Sequence, residues 1–170
     1  TTVSVYLLDL NTAALVHESN LLNSQRAYGH DVISRIQYAA QNSGHLAQMR
    51  NSIITQLNGM MRSALNSCQI NAENVEQIAI VGNTCMQHIV AGLDITGLGK
   101  APYEPVLKAA QSFSAKEFGF VGFNRAQVYL AGLISGFVGA DTLAAIMATG
   151  MDKAEKLQLI VDIGTNAEIV

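Results

Sequence analysis

The residues best suited to chemistry in this 170-residue chain stand in three short turns. Asp162-Ile163-Gly164-Thr165-Asn166 follows the apolar run Leu157-Gln158-Leu159-Ile160-Val161 and leads into a second one, Ala167 to Val170. A strand, a Gly-containing turn and a second strand present successive N–H groups and hydroxyls to an anion. The aspartate at the strand end suits a magnesium ion held through water, because hard cations prefer oxygen ligands. An ordinary hairpin turn, with Gly and Asn at positive φ, accounts for the same residues. Gly139-Ala140-Asp141-Thr142 places a carboxylate at a helix start, as an anion- or metal-facing group or as a simple cap. Gly82-Asn83-Thr84 follows a short apolar run, at the kind of strand end where open α/β sheets place ligands. N-capping explains that turn equally well.

Other reactive side chains carry less. Cys68 and Cys85 frame no disulfide scaffold, and the sequence has no CxxC. Cys85 reads either as a thiol activated by a helix N-terminus or as a small core residue. His17, His30, His45 and His88 lack metal-ligand spacing and read as surface or capping residues. Arg26 or Arg35 is placed to pair with Asp31. No Walker A loop, strand-linked GxGxxG, nucleophile elbow or HExxH is present. No metal ligand set is expected.

The elements that must position these turns alternate. Val3, Val5 and Leu7, then Leu15 to Leu22, predict a hairpin. Val32, Ile33, Ile36 and Ala40 share one helical face. After Ser43-Gly44, a longer helix carries Leu46, Met49, Ile53, Leu57, Met60 or Met61, Ala64 and Leu65. Gln77 to Gly82 reads as a buried strand, with Met86, Ile89, Val90 and Leu93 as the inward face of the next helix. An irregular connection from Asp94 to about Ala126 holds both prolines and the run Phe118-Gly119-Phe120-Val121-Gly122-Phe123. Gln127 to Gly132 predicts a strand, and a helix with Leu143, Ile146 and Met147 inward ends at Gly150. This order predicts the α/β class with a mixed sheet.

Composition sets outer limits. At 49% hydrophobic and 14% charged residues the chain is built to pack, with a bland surface suited to being covered. A net charge of −3 offers no basic stripe for nucleic acid. No window has the length and apolarity of a membrane span, and the start lacks a signal-peptide pattern, so a cytoplasmic location is expected. The first and last residues both fall inside strands, which reads as a fragment of a longer parent.

Several stretches together resemble one family. Asn23-Ser24-Gln25-Arg26-Ala27-Tyr28-Gly29-His30-Asp31-Val32-Ile33-Ser34-Arg35-Ile36 is similar to its Asn-Pro-Gln-x-x-Tyr-Gly-x-Asp-Val-Ile-Ser-Arg-Ile signature. Gly82-Asn83-Thr84-Cys85-Met86-Gln87-His88, Gly92-Leu93-Asp94 and Ala101-Pro102-Tyr103-Glu104-Pro105-Val106 resemble a second signature. Val138 to Thr142 and Val161 to Asn166 complete the set. The family is the reductive activators of corrinoid proteins, ATP-dependent iron–sulfur proteins of the acetate and sugar kinase/Hsp70/actin superfamily. Ser24 stands where proline is usual, Cys85 where threonine is common, and Ala167 where glycine is common.

The resemblance implies an RNase H-like, actin-like lobe: a mixed five-stranded sheet with helices on both faces. Residues 1–156 would be that first lobe without its first strand, and 157–170 the truncated opening hairpin of the second. It implies a parent that binds ATP and Mg2+ and takes an electron from a [2Fe–2S] cluster in another domain. That parent returns a partner corrinoid protein, or corrinoid methyltransferase, from Co(II) to Co(I). Asp162 would be the catalytic carboxylate. Thr1, Thr2, Gly139, Asp141, Gly164, Thr165 and Asn166 would line the nucleotide, and Asn83 and Thr84 would face the partner or its cofactor. No nucleic acid or membrane is expected as a partner. The chain alone should bind no cofactor and hydrolyse no ATP, because phosphoryl chemistry needs both hairpins of the clamp. Leu157 to Ile163 is expected to occupy the open position beside Val3 to Leu8, within one chain or by exchange in a homodimer. Two rival readings are a small-molecule kinase or ATPase of the same superfamily, and a nucleotide-free docking module.

Overall fold

A computed structural model describes residues 2–163 and 167–170. Strands β1 (Thr2–Leu8) and β2 (Leu15–Leu22) form an antiparallel hairpin, with Val5 opposite Ser19. Asp9 shapes its turn: the carboxylate accepts from the N–H groups of Asn11 (2.8 Å) and Thr12 (2.9 Å). Those bonds favour the charged form, so the Asp9 carboxyl is held below its ordinary pKa.

Helix α1 (Val32–Gln41) starts at a reciprocal cap. Asp31 accepts from the Ser34 N–H at 2.7 Å, and the Ser34 hydroxyl accepts from the Asp31 N–H at 3.1 Å. Cap hydrogen bonding, led by the Ser34 N–H, is also what lowers the Asp31 pKa, with Arg35 a minor contributor. Gly29 precedes this cap because a Cβ there would meet Ser34 Oγ at 2.5 Å and Arg35 N at 2.9 Å.

The long helix α2 (His45–Ser67) buries Met49, Ile53, Met60, Ala64 and Leu65 as its spacing predicts, adds Ile54, and leaves Leu46 and Leu57 partly buried. It serves two cores. Ile53, Ile54 and Leu65 pack with Val90, Phe118, Phe120, Phe123, Val128 and Leu130. Met49 packs with Ile36, Cys85, Ile89, Ile95 and Leu98. Between the two, Arg50 donates to the carbonyls of Val90 (3.1 Å) and Phe118 (2.7 Å), and its guanidinium lies 5.8 Å from the Phe118 ring centre.

Strands β3 (Gln77–Ile80), β4 (Gln111–Ser114) and β5 (Gln127–Leu130) form a sheet in the order β3-β5-β4. The β3–β5 pair is parallel and the β4–β5 pair antiparallel. Helix α3 (Thr84–Ala91) follows β3, and the single turn α4 (Ala115–Phe118) follows β4. Helix α5 (Ala140–Thr149) ends at Gly150, whose φ of 70° is left-handed. Strands β6 (Val161–Ile163) and β7 (Ala167–Ile169) make a closing antiparallel pair.

Several sequence expectations change, among them Met147, expected inward but 66% exposed, and β3, expected buried but exposed at alternate residues. The described strands form three separate sheets rather than one of five strands. Val3 and Leu7 pack their side chains against the larger core, so the first hairpin is attached by apolar burial and not by a hydrogen-bond ladder. Val161–Ile163 pairs with β7, and not with β1 within the chain. The connection from Asp94 to Ala126 is also not irregular throughout. It contains β4 and α4, and its Gly-Phe alternation buries Phe118, Phe120 and Phe123 to 3% exposure or less.

Candidate functional site: converging strand-end loops

Two of the three predicted turns meet. Gly82-Asn83-Thr84 leaves the C-terminal end of β3, and Gly139 opens α5 after the loop that leaves β5. The Ala140 N–H donates to the Gly82 carbonyl at 3.0 Å, and the Thr84 hydroxyl donates to the Ser135 carbonyl at 2.8 Å. Gly139 permits this approach because a Cβ there would stand 2.7 Å from Gly82 O and Thr84 N. Gly136 makes a similar allowance for the Tyr103 carbonyl, and the Tyr103 and Phe137 rings lie 5.3 Å apart above it. Tyr103 and Phe137 stay 45% and 43% exposed.

The sequence places Asn83 and Thr84 toward a partner, and only Asn83 retains that option. Asn83 is half-buried and caps α3 through the Cys85 N–H at 3.0 Å. Thr84 is fully buried and presents no surface, because its hydroxyl locks the two loops together. Cys85 is a core residue: burial pushes its thiol up to about 12, a minor pull from Arg35 notwithstanding. Its place near the start of α3 does not make it reactive.

The strands on either side of the third turn are linked to the start of α5 through charge. Asp162 stands opposite Glu168 in the β6–β7 register. The Glu168 carboxyl is pushed above its ordinary pKa, first by burial, then by the negative charges of Asp141 and Asp162. The N-terminal turn of α5 and the closing hairpin therefore bring three acidic groups into one electrostatic neighbourhood. Among the described residues, no group of three or more His, Cys, Asp or Glu side chains is arranged to hold a metal ion. Among the described residues, Thr2 joins no part of this cluster by a hydrogen bond; it is exposed opposite Leu22, on a hairpin that packs against α2. Thr1, Gly164, Thr165 and Asn166 lie outside the described residues.

Sequence reasoning missed the polar residues inside α3. Gln87 is 2% exposed and donates to the carbonyls of Ala131 (2.9 Å) and Ile80 (3.4 Å), tying the ends of both parallel strands. His88, read as a surface or capping residue, is 2% exposed. Its Nε2 accepts from the Leu107 N–H at 3.4 Å, so Nδ1 carries the hydrogen and donates to the Thr84 carbonyl at 2.9 Å. Burial holds its pKa below the ordinary histidine value. Their one visible signal is adjacency: two polar residues inside an otherwise apolar helix.

No described helix is long and apolar enough to cross a membrane. The chain is similar to the corrinoid activation enzyme RamQ of Eubacterium limosum, at 32% identity over 169 residues. That match takes in 99% of this chain and 28% of RamQ. Its fold is similar to a solved reductive activator for corrinoid, iron–sulfur protein, with a TM-score of 0.95 and 27% identity, covering 99% of this chain and 27% of that one. The chain thus spans little more than a quarter of either relative. Residues 1–154 match the family described as the RACo middle region, and the chain belongs to that family.

Proposed function

We propose that this chain is the middle region of an ATP-dependent reductive activator, which returns a corrinoid protein from Co(II) to Co(I). The electron, one per cobalt, comes from a [2Fe–2S] domain elsewhere in the parent. Residues 1–156 form one lobe of an actin-like nucleotide clamp, and 157–170 begin the other. The observation that carries this reading is the meeting of Gly82–Thr84 with Gly139, while Asp141 and Asp162 act together on Glu168. Burial first, and then the negative charges of Asp141 and Asp162, raise the Glu168 carboxyl, and a bound cation would relieve the charge part of that shift. ATP binding or hydrolysis supplies the driving force for the uphill reduction. Asp141 and Asp162 would hold magnesium through water, and the α5 N-terminus would face phosphate. Asn83 and the exposed Tyr103–Phe137 pair are the features offered to the cytoplasmic partner.

The test mixes the full-length parent with a Co(II) corrinoid protein, a reductant and ATP, and follows Co(I) absorbance. Co(I) is expected only with ATP, and Asp141→Asn or Asp162→Asn should reduce its formation at least tenfold. ATP-independent Co(I) formation, or unchanged rates in both variants, would overturn the reading. Phosphorylation of a small molecule without corrinoid reduction would favour a kinase. The 170-residue chain alone should hydrolyse no ATP, and magnesium-dependent turnover by it would contradict the two-lobed clamp.

A further inference from the structure

Gln87 leaves one polar atom unaccounted for. Its Nε2 faces the Ala131 and Ile80 carbonyls, so the amide cannot be turned round without setting oxygen against oxygen. The remaining atom, Oε1, is buried and has no hydrogen-bond partner within the protein. A buried amide oxygen without a donor is left with its desolvation uncompensated. Gln87 also lines a small cavity between α3 and the segments around residues 107–109 and 130–133, with room for one water molecule. His88, Leu93, Leu107, Leu130 and Leu133 complete most of the wall.

We infer that this cavity is a built site for one water molecule, which donates a hydrogen bond to Gln87 Oε1. The walls are otherwise aliphatic apart from His88, whose two ring nitrogens are engaged with Thr84 and Leu107. Gln87 Oε1 is therefore the side-chain anchor. A buried water is retained where it satisfies such groups, whereas a purely apolar cavity of this size stays dry. The site lies at the C-terminal ends of β3 and β5. Gln87 fixes the ends of β3 and β5, and the water extends that tie to the segment after Pro105. This inference is independent of the ATP and corrinoid reading.

A crystal structure of the full-length protein, at a resolution that shows ordered solvent, reads the site directly. A water is expected about 2.7–3.2 Å from Gln87 Oε1. Density for no water there, or a protein donor on Oε1, would overturn the inference. A double-mutant cycle gives a second reading. Ala131→Val fills space beside the cavity and should lower Tm by about 2–4 °C, because it expels the water and strands Oε1. In a Gln87→Met background, where no oxygen needs the water, the same change should be neutral or raise Tm. A loss of equal size in both backgrounds, or a raised Tm for Ala131→Val alone, would count against a water. Should Gln87→Met fail to fold, the crystallographic reading still decides.

Discussion

The loop junction at the ends of β3 and β5 and the β1–β2 hairpin are built on opposite terms. At the junction Thr84 and Ala140 are fully buried, and backbones touch at distances a single methyl group would forbid. On the hairpin Tyr6, Leu8, Leu15 and Leu22 are each more than half exposed, and among the described residues β1 pairs with β2 alone. Both regions are rich in apolar and hydroxyl residues, so composition does not separate them. The difference is where contacts end. The junction closes on itself through glycine and carbonyl groups, whereas the hairpin rests one face on the core and leaves the other uncovered. Close backbone packing is therefore concentrated where the strand-end loops meet.

Gly139→Val breaks this contrast most sharply. Its Cβ would need the space of Gly82 O, Thr84 N and Asn83 Cα, all backbone atoms within 2.8 Å, so no side-chain rotation relieves it. A loss of ~3 kcal/mol or more is expected, read as a fall in the urea midpoint with unchanged m-value. A loss below about 1 kcal/mol would mean that the loops do not touch. Arg50→Met comes next. It keeps the aliphatic stem but removes two bonds to carbonyls and the contact with the Phe118 ring. The expected loss is about 2 kcal/mol, again by urea titration.

How much of this was legible in the sequence follows from how local each cause is. The buried face of α2 obeys helical spacing, and Asp31 with Ser34 writes its cap in adjacent residues, so both could be read. Strand β4 could not, because Gln111-Ser112-Phe113-Ser114 has little strand character and is held extended by β5. The Gly-Phe run looked like a loop because its phenylalanines reach the core without a regular period. At the site, the turns at Gly82 and Gly139 were visible as turn chemistry, but their meeting was not. That contact depends on two segments more than fifty residues apart, and on a missing Cβ. Thr84, Gln87 and His88 were misplaced or missed for the same reason: their partners Ser135, Ala131 and Leu107 are remote in sequence.

His88 sharpens the comparison through pH. Its folded-state pKa is depressed by burial, so below about 6.5 the unfolded chain takes up a proton that the folded chain resists. Stability should therefore fall as pH drops from 6.5 toward the folded pKa, and level off beneath it. For one proton the slope cannot exceed about 1.4 kcal/mol per pH unit. The backbone and side-chain bonds to Asp94 from Thr96 depress that carboxyl, so its own contribution is lost only at more acidic pH. His88→Gln should be less stable at neutral pH, yet show a shallower decline between pH 7 and 5 in thermal melts. An unchanged slope would place the titrating group elsewhere.

The hairpin should respond least, and that is the other half of the contrast. Tyr6 stands opposite Glu18 on the exposed face and is 55% open to solvent. Tyr6→Ser removes apolar surface that the chain itself does not bury, so its effect on unfolding should stay within about 0.5 kcal/mol. Val3→Ser, three residues earlier on the face that packs against the core, removes a partly buried contact and should cost more than Tyr6→Ser. Equal effects from the two substitutions would show that the hairpin has no inner and outer face. If Tyr6→Ser proved the costlier change, the exposed side would be the one that something covers in solution, and concentration-dependent melting of the unmodified chain would then identify a second copy as the cover.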